Sequence, residues 1–472
     1  MKSLFMIAAI ILALMTGLAG CIVPVTQTQQ PEPAPVVVPQ ADINLTIGSP
    51  TGETIRPLLG VNIGPIPAGT DPANADLTAA YKDIGVNLIR THDYYGPLDM
   101  CAMYPDLAAD PLLAQSYDFS RSDQVWRSIV SGGFEPYLRL GDSYNNSRPP
   151  ADSTERANWV KAGLEVIRHY RTGRWSGFNT PFRYVEIWNE PDNAQFWPRP
   201  HTPIEYFQLY SDTALAIKSQ FPDLKVGGPG VTPAGALTPQ GRKWVQDFLT
   251  FVRQSGAPLD FLSWHMYSNS PQQYAEAAAF YRSALDARGF TGTVKHITEW
   301  NTEIKRSQES SSDSLALRTG AKGAAILSAC WIELQQQNDL EVSTFYRGPD
   351  PDIKAPTFYG LFYADGRPKS IASAFSLWSR MAGYAQRLDT QMPQSSPLYV
   401  MAGRNGAGQT ALLIANPGSE TITPLINFSD GRQIKQLSLY RVSGSDQRVQ
   451  TVSPADAVME IGAESVQLLV ID

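Results

Sequence analysis

Residues 184–191 read YVEIWNEP, a short apolar run that ends in polar residues and a proline. A segment of helical period follows it and begins at Pro203, where proline fits the first turn of a helix. A buried strand, a polar loop and a helix in this order form the repeating unit of a parallel α/β sheet. The stretch therefore predicts one such unit, with Asn189 and Glu190 at the carboxyl end of its strand.

The same unit recurs along the chain. The predicted strands are Leu58–Pro65, Val86–Asp93, Glu135–Asp142, Tyr184–Pro191, Lys225–Gly230, Phe261–Tyr267, Val294–Trp300 and Glu341–Arg347. The predicted helices between them include Phe119–Gly132, Ser153–Tyr170, Pro203–Gln220 and Ser314–Gln336. Eight strands with helical crossovers predict an α/β fold, a closed (β/α)8 TIM barrel. An open doubly wound sheet is the alternative, but the turn GVNIGP at residues 60–65 lacks the glycine-rich nucleotide fingerprint of that fold.

After about residue 383 the helical period gives way to short alternating runs, which are typical of a β-sandwich. These runs are Leu398–Ala402, Gln409–Ala415, Thr421–Asn427, Lys435–Val442 and Val466–Ile471. Two further stretches, Asp42–Ile47 and Glu53–Arg56, are also strand-like. We therefore expect N-terminal strands at residues 42–57 that join the sandwich, a barrel at 58–382 and a C-terminal β-sandwich at 383–472.

Composition excludes several classes of protein. The 472-residue chain has 38 Lys and Arg against 45 Asp and Glu, a net charge of −7, which argues against a nucleic-acid-binding protein. Three cysteines cannot supply a disulfide framework, and no Cys/His pair has the spacing of zinc ligands. We therefore expect Cys101 and Cys330 to be free thiols and predict no metal site.

Residues 1–20 have the features of a secretory signal, since Lys2 is followed by an apolar run from Leu4 to Leu18. The sequence LAGC at 18–21 resembles a bacterial lipobox, which would make Cys21 the lipid anchor. Ile22, in place of the Asp of inner-membrane retention signals, favours the outer membrane, with the protein facing the periplasm or the surface. Residues 21–41 are rich in proline, which predicts an extended tether. A plain signal anchor is the alternative, because the apolar run nearly reaches the length of a membrane span.

Polar side chains close several predicted strands, at the face where barrel enzymes carry their active sites. These ends read RTHD at 90–93, RLGD at 139–142, WNEP at 188–191, WHMY at 264–267 and TEWN at 298–301. Glu190 and Glu299 stand out, because each follows an apolar strand and the two would face each other across the barrel mouth. Paired carboxyl groups suit glycoside hydrolysis, in which one protonates the leaving oxygen and the other stays ionised.

Four segments resemble glycoside hydrolase family 39 of clan A. They are VEIWNEPD at 185–192 followed by FW at 196–197, ITEWN at 297–301, RTH at 90–92, and FYGLF at 358–362 with DGRPK at 365–369. The resemblance covers about residues 55–385 and implies a retaining hydrolase without a cofactor, with Glu190 as acid/base and Glu299 as nucleophile. It also implies that Asn189 binds the sugar 2-hydroxyl, and that Arg90, His265 and Tyr267 orient or stabilise the nucleophile.

The chain departs from the family pattern in two places. It reads STFYR at 343–347, where β-xylosidases of the family tend to carry Trp at the end of strand eight, and DYYGPLDM at 93–100 after strand two. The resemblance alone therefore does not assign xylose as the substrate.

Position on the top face suggests further substrate-binding residues. The full predicted set is Arg90, His92, Asn189, Trp197, His265, Tyr267, Trp300 and Tyr346, with Tyr94 and Tyr95 as additional aromatic candidates. Aromatic rings commonly hold the apolar face of a sugar. Ordinary packing is the alternative for the aromatics, and hydrogen bonding within the barrel is the alternative for the histidines. We expect structural roles for Glu186 and Glu303, and we interpret Asp350 and Asp352 as turn residues rather than metal ligands.

The leading hypothesis is a lipid-anchored retaining β-glycosidase that acts on a polysaccharide or oligosaccharide. A bacterial exopolysaccharide is favoured over a plant-type glycan as its substrate, and the sequence leaves endo against exo action open. An exo-acting β-xylosidase is one alternative. A catalytically silent polysaccharide-binding lipoprotein is the other.

Overall fold

The computed structural model describes residues 42–66, 75–305, 311–352, 357–432, 434, 437–444, 450–452 and 460–471. The predicted signal peptide, the predicted lipid anchor Cys21 and the predicted tether lie outside these residues. Within the described residues, no helix combines the length and the apolar character that a membrane span requires.

Eight parallel strands close into a barrel, which confirms the predicted fold class. The first strand of the chain, β1 (Ile43–Thr54), belongs to a second sheet. The barrel strands are β2 (Gly60–Asn62), β3 (Leu88–Arg90), β4 (Glu135–Leu140), β5 (Tyr184–Ile187), β6 (Lys225–Val231), β7 (Phe261–Tyr267), β8 (Val294–Asn301) and β9 (Leu340–Phe345). Each lies within or close to a predicted strand. Several end before the polar residues that close the predicted runs, because those residues turn out of the ladder at the barrel mouth.

The helices surround the barrel and connect its strands. They are α1 (Thr78–Asp83), α2 (Met100–Met103), α3 (Ser120–Ser131), α4 (Ser153–Thr172), α5 (Pro203–Gln220), α6 (Ala234–Leu237), α7 (Pro239–Ser255), α8 (Pro271–Asp286), α9 (Ser312–Thr319), α10 (Ala321–Gln335) and α11 (Ser370–Ala382). The helix α5 starts as predicted, with Pro203 in its first turn and a capping box between Thr202 and Glu205. The single helix predicted at Ser314–Gln336 is instead two helices, because the extended backbone of Gly320 (φ −96°, ψ 176°) interrupts the helical ladder.

The second domain is one continuous sheet of eight strands, in the order β13-β1-β10-β11-β12-β16-β14-β15. Its other strands are β10 (Gln386–Gln391), β11 (Tyr399–Arg404), β12 (Thr410–Asn416), β13 (Pro424–Phe428), β14 (Leu437–Val442), β15 (Gln450–Val452) and β16 (Ser465–Ile471). The two N-terminal stretches expected as strands fall on the single strand β1, which ends at Thr54 within the second stretch. This strand pairs with β13 in continuous register and with β10 across two register shifts. The strands β10 and β15 were not predicted from the sequence.

Both faces of this sheet are covered, as its central strand β12 illustrates. Ala411, Leu413 and Ala415 belong to the same apolar cluster as the barrel and its helices. Leu412 and Ile414, which alternate with them, belong to a separate cluster inside the second domain. Because strands from both ends of the sheet share that second cluster, the single sheet encloses a core of its own, which gives the packing expected of a sandwich.

Two cysteines lie in the described chain, and both are free thiols, as predicted. Cys330 is buried in α10, whereas Cys101 is partly exposed in α2.

Candidate active site

The loop after β5 carries Glu190 into the barrel mouth. Trp188 (φ 76°) and Glu190 (φ 44°) both adopt the left-handed backbone region, which costs free energy in a residue other than glycine. Backbone hydrogen bonds hold them there, from the amide of Trp188 to the Leu140 carbonyl (2.6 Å) and from the amide of Glu190 to the Gly230 carbonyl (3.0 Å). The chain therefore maintains a strained loop that turns one carboxyl group toward the barrel axis.

Glu299 lies on β8, and hydrogen-bond donors hold both of its carboxylate oxygens. Arg90 donates to Oε1 at 2.9 Å and the Tyr267 hydroxyl donates to Oε2 at 2.7 Å. The Nε2 atom of His92 lies 3.3 Å from Oε1. Burial raises the pKa of Glu299. His265, whose Nδ1 lies 3.6 Å from Oε2, and the positive charge of Arg90 oppose that rise. Direct contact with a guanidinium favours the ionised form of this carboxyl group.

Glu190 has neutral partners instead. The Asn193 side-chain amide donates to Oε2 at 2.8 Å, and Nδ1 of His265 lies 2.8 Å from Oε1. Burial raises the pKa of Glu190 to about 7, the charge of Asp93 acts in the same direction, and the Asn193 hydrogen bond opposes it. This carboxyl group therefore holds a proton over the acidic side of neutrality.

The two carboxyl groups are close together. One side-chain oxygen of Glu190, one of Glu299 and a ring nitrogen of His265 lie within 4.8 Å of one another. Carboxyl separations of about 5–5.5 Å are typical of retaining glycosidases, whereas inverting enzymes need about 6.5–9.5 Å to admit a water molecule. The separation therefore belongs to the retaining class.

Arg90 lies beneath Glu190 and Glu299 and joins several polar residues of the barrel mouth by hydrogen bonds. The side chain is fully buried and donates to Glu186 (2.6 Å), Asn62 (2.9 Å), Asn189 (2.7 Å) and Glu299. Glu186, expected to be structural, is the buried counter-charge of this guanidinium. Arg90 does not line the cavity; it contacts Asn189 and Glu299, which do. Its place therefore bears on the implied role of orienting the nucleophile rather than on direct contact with substrate.

Both predicted histidines lie at the site as neutral rings. Burial lowers the pKa of His92 and of His265, and the charge of Arg90 acts in the same direction in both, whereas the nearby Glu299 carboxylate opposes the shift at His265. A neutral ring offers one donor and one acceptor. His265 therefore contacts Glu190 without adding a positive charge, and Glu299 receives its positive charge from Arg90.

A cavity of about 450 Å³ opens over the pair, within the roughly 300–1,000 Å³ usual for small-molecule sites. Its lining residues are His92, Asp93, Tyr95, Tyr144, Asn189, Glu190, Phe196, Tyr267, Glu299, Ile304, Tyr346, Phe358 and Tyr359. The structure thus brings together His92, Asn189, Glu190, Tyr267, Glu299, Tyr346 and the additional candidate Tyr95, with His265 beside them.

The sequence patterns did not predict the other residues that line the cavity. Asp93 stands in the strand-two motif but received no role, and Phe196 adjoins the predicted Trp197. Tyr144, Ile304, Phe358 and Tyr359 lie in loops, where no periodic pattern tells which side chains point inward.

Three predicted aromatics do not line the cavity. Trp300 follows Glu299 on the same strand and therefore points to the opposite face, where it stacks on Trp378 with ring centroids 5.9 Å apart. The indole of Trp197 packs edge-on against Trp188, and its Nε1 donates to the Thr202 carbonyl. Tyr94 is buried and donates to the Gly64 carbonyl. All three are packing residues, and Phe196 lines the cavity where Trp197 was expected.

Asp350, interpreted from the sequence as a turn residue, is instead part of a buried ion pair. It is fully buried, pairs with Lys369 at 2.7 Å and accepts a hydrogen bond from the Gly360 amide at 2.8 Å. This ion pair holds the loop that carries Phe358 and Tyr359 to the cavity, because Lys369 also donates to the Phe358 carbonyl.

Three converging side chains of this kind could also bind a metal cation. In the described part of the chain, Glu190, His265 and Glu299 form the one such group of His, Cys, Asp or Glu residues. The Arg90 guanidinium, 2.9 Å from Glu299, would repel a cation there. The arrangement suits proton transfer better than metal binding.

Comparison with known proteins agrees with this geometry. Residues 62–306 match the profile of glycosyl hydrolases family 39. The chain is 25% identical over 365 residues to a β-xylosidase from Geobacillus stearothermophilus, covering 64% of this chain and 69% of that protein. It is 29% identical over 199 residues to a β-xylosidase from Caldicellulosiruptor saccharolyticus, covering 39% and 37% of the two chains.

Solved structures share the fold. A glucosidase from Croceicoccus marinus superimposes with a TM-score of 0.73 at 24% identity, covering 91% of this chain and 98% of that one. A monomeric β-xylosidase from Caulobacter crescentus gives a TM-score of 0.66 at 18% identity, covering 90% and 99%. The matched profile covers more than half of the chain and includes both carboxyl groups of the barrel mouth, so the protein belongs to glycoside hydrolase family 39 and is a glycosidase.

Proposed function

We propose that the protein is a retaining β-glycosidase in which Glu299 is the nucleophile and Glu190 is the acid/base. The observation that carries the proposal is the contrast between two carboxyl groups within 4.8 Å of each other. Glu299 contacts the Arg90 guanidinium, whereas Glu190 contacts a neutral amide and a neutral imidazole. A retaining glycosidase needs this division between an ionised and a protonated carboxyl group.

The first step breaks the glycosidic bond. A carboxylate oxygen of Glu299 attacks the anomeric carbon, and the electron pair of the breaking C–O bond goes to the leaving oxygen. Glu190 transfers its proton to that oxygen, so the leaving group departs as a neutral alcohol. The product of this step is a glycosyl ester on Glu299 and an ionised Glu190.

The second step hydrolyses the ester. Glu190, now a base, removes a proton from water while the water oxygen attacks the anomeric carbon and the bond to Glu299 breaks. Two displacements on the same carbon restore the original anomeric configuration. Glu299 returns to its ionised form and Glu190 to its protonated form, so the cycle needs no cofactor.

Asn189 is suited to bind the sugar beside the pair. Its side-chain oxygen accepts from Arg90 at 2.7 Å, and this contact fixes which end of the amide faces the cavity. Its side-chain nitrogen is buried and makes no hydrogen bond to the described residues. A sugar hydroxyl can accept from that nitrogen, which supports the 2-hydroxyl role implied by the family resemblance.

The curated relatives favour a terminal sugar over an internal polymer bond. Both carry the name β-xylosidase, and the carboxyl pair lies in a cavity ringed by aromatic residues. The exopolysaccharide hypothesis rests on the predicted lipid anchor and on the two departures from the β-xylosidase pattern at residues 93–100 and 343–347. We therefore place exo-action on a β-xyloside first, and internal cleavage of an exopolysaccharide second.

Product analysis separates these two modes of action. We expect digestion of β-1,4-xylohexaose to release xylose and the pentasaccharide as the first products, because an exo-acting enzyme removes one sugar at a time from the end of the chain. Mass spectrometry and chromatography at low conversion measure this. First products of intermediate length, or a fall in the viscosity of an exopolysaccharide without release of monosaccharide, would support the endo mode instead. Binding of glycans without cleavage of any of them would favour the silent binding protein.

Location at the outer membrane through Cys21 is also a proposal, since these residues lie outside the described chain. We expect the protein, expressed with its own leader in a bacterium, to incorporate an alkyne-labelled fatty acid and to fractionate with outer membranes. A Cys21→Ser variant should lose the label, because serine lacks the thiol that is acylated. Cys101→Ser is the matched control and should keep it. A wild-type protein that stays in membranes without the label would indicate a plain signal anchor.

A further inference from the structure

Asp93 is a third carboxylate in the cavity. It follows β3 by three residues, is 4% exposed and adopts the left-handed backbone region (φ 58°). Neither step of the proposed mechanism uses it. A strained backbone at an almost buried carboxylate is stable only where the surrounding contacts fix it. The same contacts show which acceptor positions of the carboxylate remain for a ligand.

The protein contacts of Asp93 do not use all of its hydrogen-bond acceptor positions. The Tyr346 hydroxyl donates to Oδ2 at 2.6 Å and the Tyr144 amide donates to Oδ1 at 3.1 Å. His92 lies 3.3 Å from Oδ1. An ionised carboxylate has about four acceptor positions, so these contacts leave at least one on Oδ2. Asp93 and Tyr346 both line the cavity, which places this free acceptor beside the bound sugar.

The charges around the cavity indicate whether the bound sugar is neutral or anionic. Among the described lining residues, the ionisable acids are Asp93, Glu190 and Glu299. Glu190 carries the proton that the first step transfers, so the negative charge of the cavity comes from Asp93 and Glu299. The guanidinium of Arg90 lies beneath them and is engaged by four acceptors. A second guanidinium, that of Arg347, packs against Tyr95, 5.9 Å from the ring centroid and 3.4 Å from the hydroxyl. Neither arginine is among the described residues that line the cavity. A sugar carboxylate placed here would meet like charge at short range in a buried site. A sugar hydroxyl would instead supply a donor that Asp93 can accept.

We propose that Asp93, held by Tyr346, selects the sugar beside the carboxyl pair by accepting a hydrogen bond from a hydroxyl group at C3 or C4, so that the enzyme takes a neutral sugar and rejects a uronic acid. This inference rests on the proposed glycosidase function. It assigns a specificity-determining contact to a residue that carries no step of the reaction.

A cycle of enzyme and substrate changes tests the contact. The substrates are 4-nitrophenyl β-D-xylopyranoside or β-D-glucopyranoside, whichever is cleaved faster, and its 3-deoxy and 4-deoxy analogues. In the wild type, one deoxy analogue should lose about 10- to 100-fold in kcat/KM, the usual effect of removing a hydrogen bond to a charged group. In Asp93→Ala, the parent substrate should lose a similar factor, and that analogue should then be cleaved nearly as well as the parent.

Further variants separate binding from a structural effect. Asp93→Asn keeps an acceptor oxygen and should recover part of the discrimination, and it replaces the alanine variant if that one does not fold. Asp83→Asn, on the exposed end of α1, is the matched control and should behave as the wild type. The wild type should also cleave 4-nitrophenyl β-D-glucuronide at least roughly 100-fold more slowly than the glucoside, because a charge buried among like charges is strongly disfavoured.

Two results would overturn the inference. One is an equal loss for the parent and both deoxy analogues in Asp93→Ala and in Asp93→Asn, which indicates a general disturbance of the pocket. The other is a glucuronide cleaved as fast as the glucoside. Failure of the wild type to cleave any aryl glycoside would instead contradict the proposed function before any Asp93 variant is compared.

Discussion

Replacing the nucleophile should nearly abolish turnover. We expect Glu299→Ala to lower kcat for an aryl β-glycoside by a factor on the order of 10⁴ to 10⁶, because the other two carboxyl groups of the cavity have different proposed roles, Glu190 in proton transfer and Asp93 in binding a sugar hydroxyl. The small side chain leaves a space between Arg90 and Tyr267, which both contact Glu299 in the intact enzyme. Steady-state kinetics with 2,4-dinitrophenyl glycosides measures the loss.

That space should accept an external anion. Azide or formate at high concentration should restore part of the activity of Glu299→Ala, because Arg90 still attracts an anion to the position of the missing carboxylate. The rescued product is the α-glycosyl azide, since a single displacement inverts the anomeric carbon.

A neighbouring glutamate provides the control. Glu303 lies four residues further along the chain and is exposed. Glu303→Ala should retain wild-type turnover. Unchanged activity of Glu299→Ala, or a rescued product of β configuration, would move the nucleophile to another residue.

Replacing the acid/base should also lower activity strongly. We expect Glu190→Ala to lower kcat/KM by about 10²- to 10⁴-fold for substrates whose leaving group needs a proton. Substrates with a 2,4-dinitrophenyl leaving group should suffer much less in the first step, because that phenolate departs without protonation. Azide should accelerate this variant by attacking the glycosyl ester in place of water, and the product should then be the β-glycosyl azide.

The pH profile follows from the raised pKa of Glu190. The wild type needs this group protonated, and its pKa is about 7, so kcat/KM should be constant just below that pH and fall about tenfold per unit above it. In Glu190→Ala the fall near pH 7 should disappear, while Glu303→Ala should keep it. A wild-type profile without a descending limb near neutrality, or a variant that keeps the limb, would assign the proton to another group.

Much of the fold was predictable because its units repeat. Each barrel strand is buried on both faces and reads as a short apolar run, so eight runs separated by helical segments identify the closed barrel. The break at Gly320 was not predictable from the pattern, because the apolar period continues through it. The weak strands β10 and β15 lack a clear alternation and were missed for that reason.

The candidate site was predictable only where side chains sit on regular structure. Glu190 and Glu299 follow directly from strand ends at the active face of a barrel. Trp300 was misassigned, although the alternation of side chains along β8 already points it away from its neighbour Glu299.

Other features of the site depend on three-dimensional contacts. Asp93 and Tyr346 are far apart in sequence, and the hydrogen bond that joins them is visible only once the strands close into a barrel. The raised pKa of Glu190 likewise arises from burial, which no local motif encodes.

The stereochemistry of the first-formed product tests the retaining mechanism most directly. Proton NMR of an aryl β-glycoside mixed with a large amount of enzyme records the anomeric signal before mutarotation. The short separation of Glu190 and Glu299 predicts that the β-anomer of the free sugar appears first and the α-anomer follows only as mutarotation proceeds. An α-anomer that appears first would contradict the double displacement and the roles assigned to both carboxyl groups.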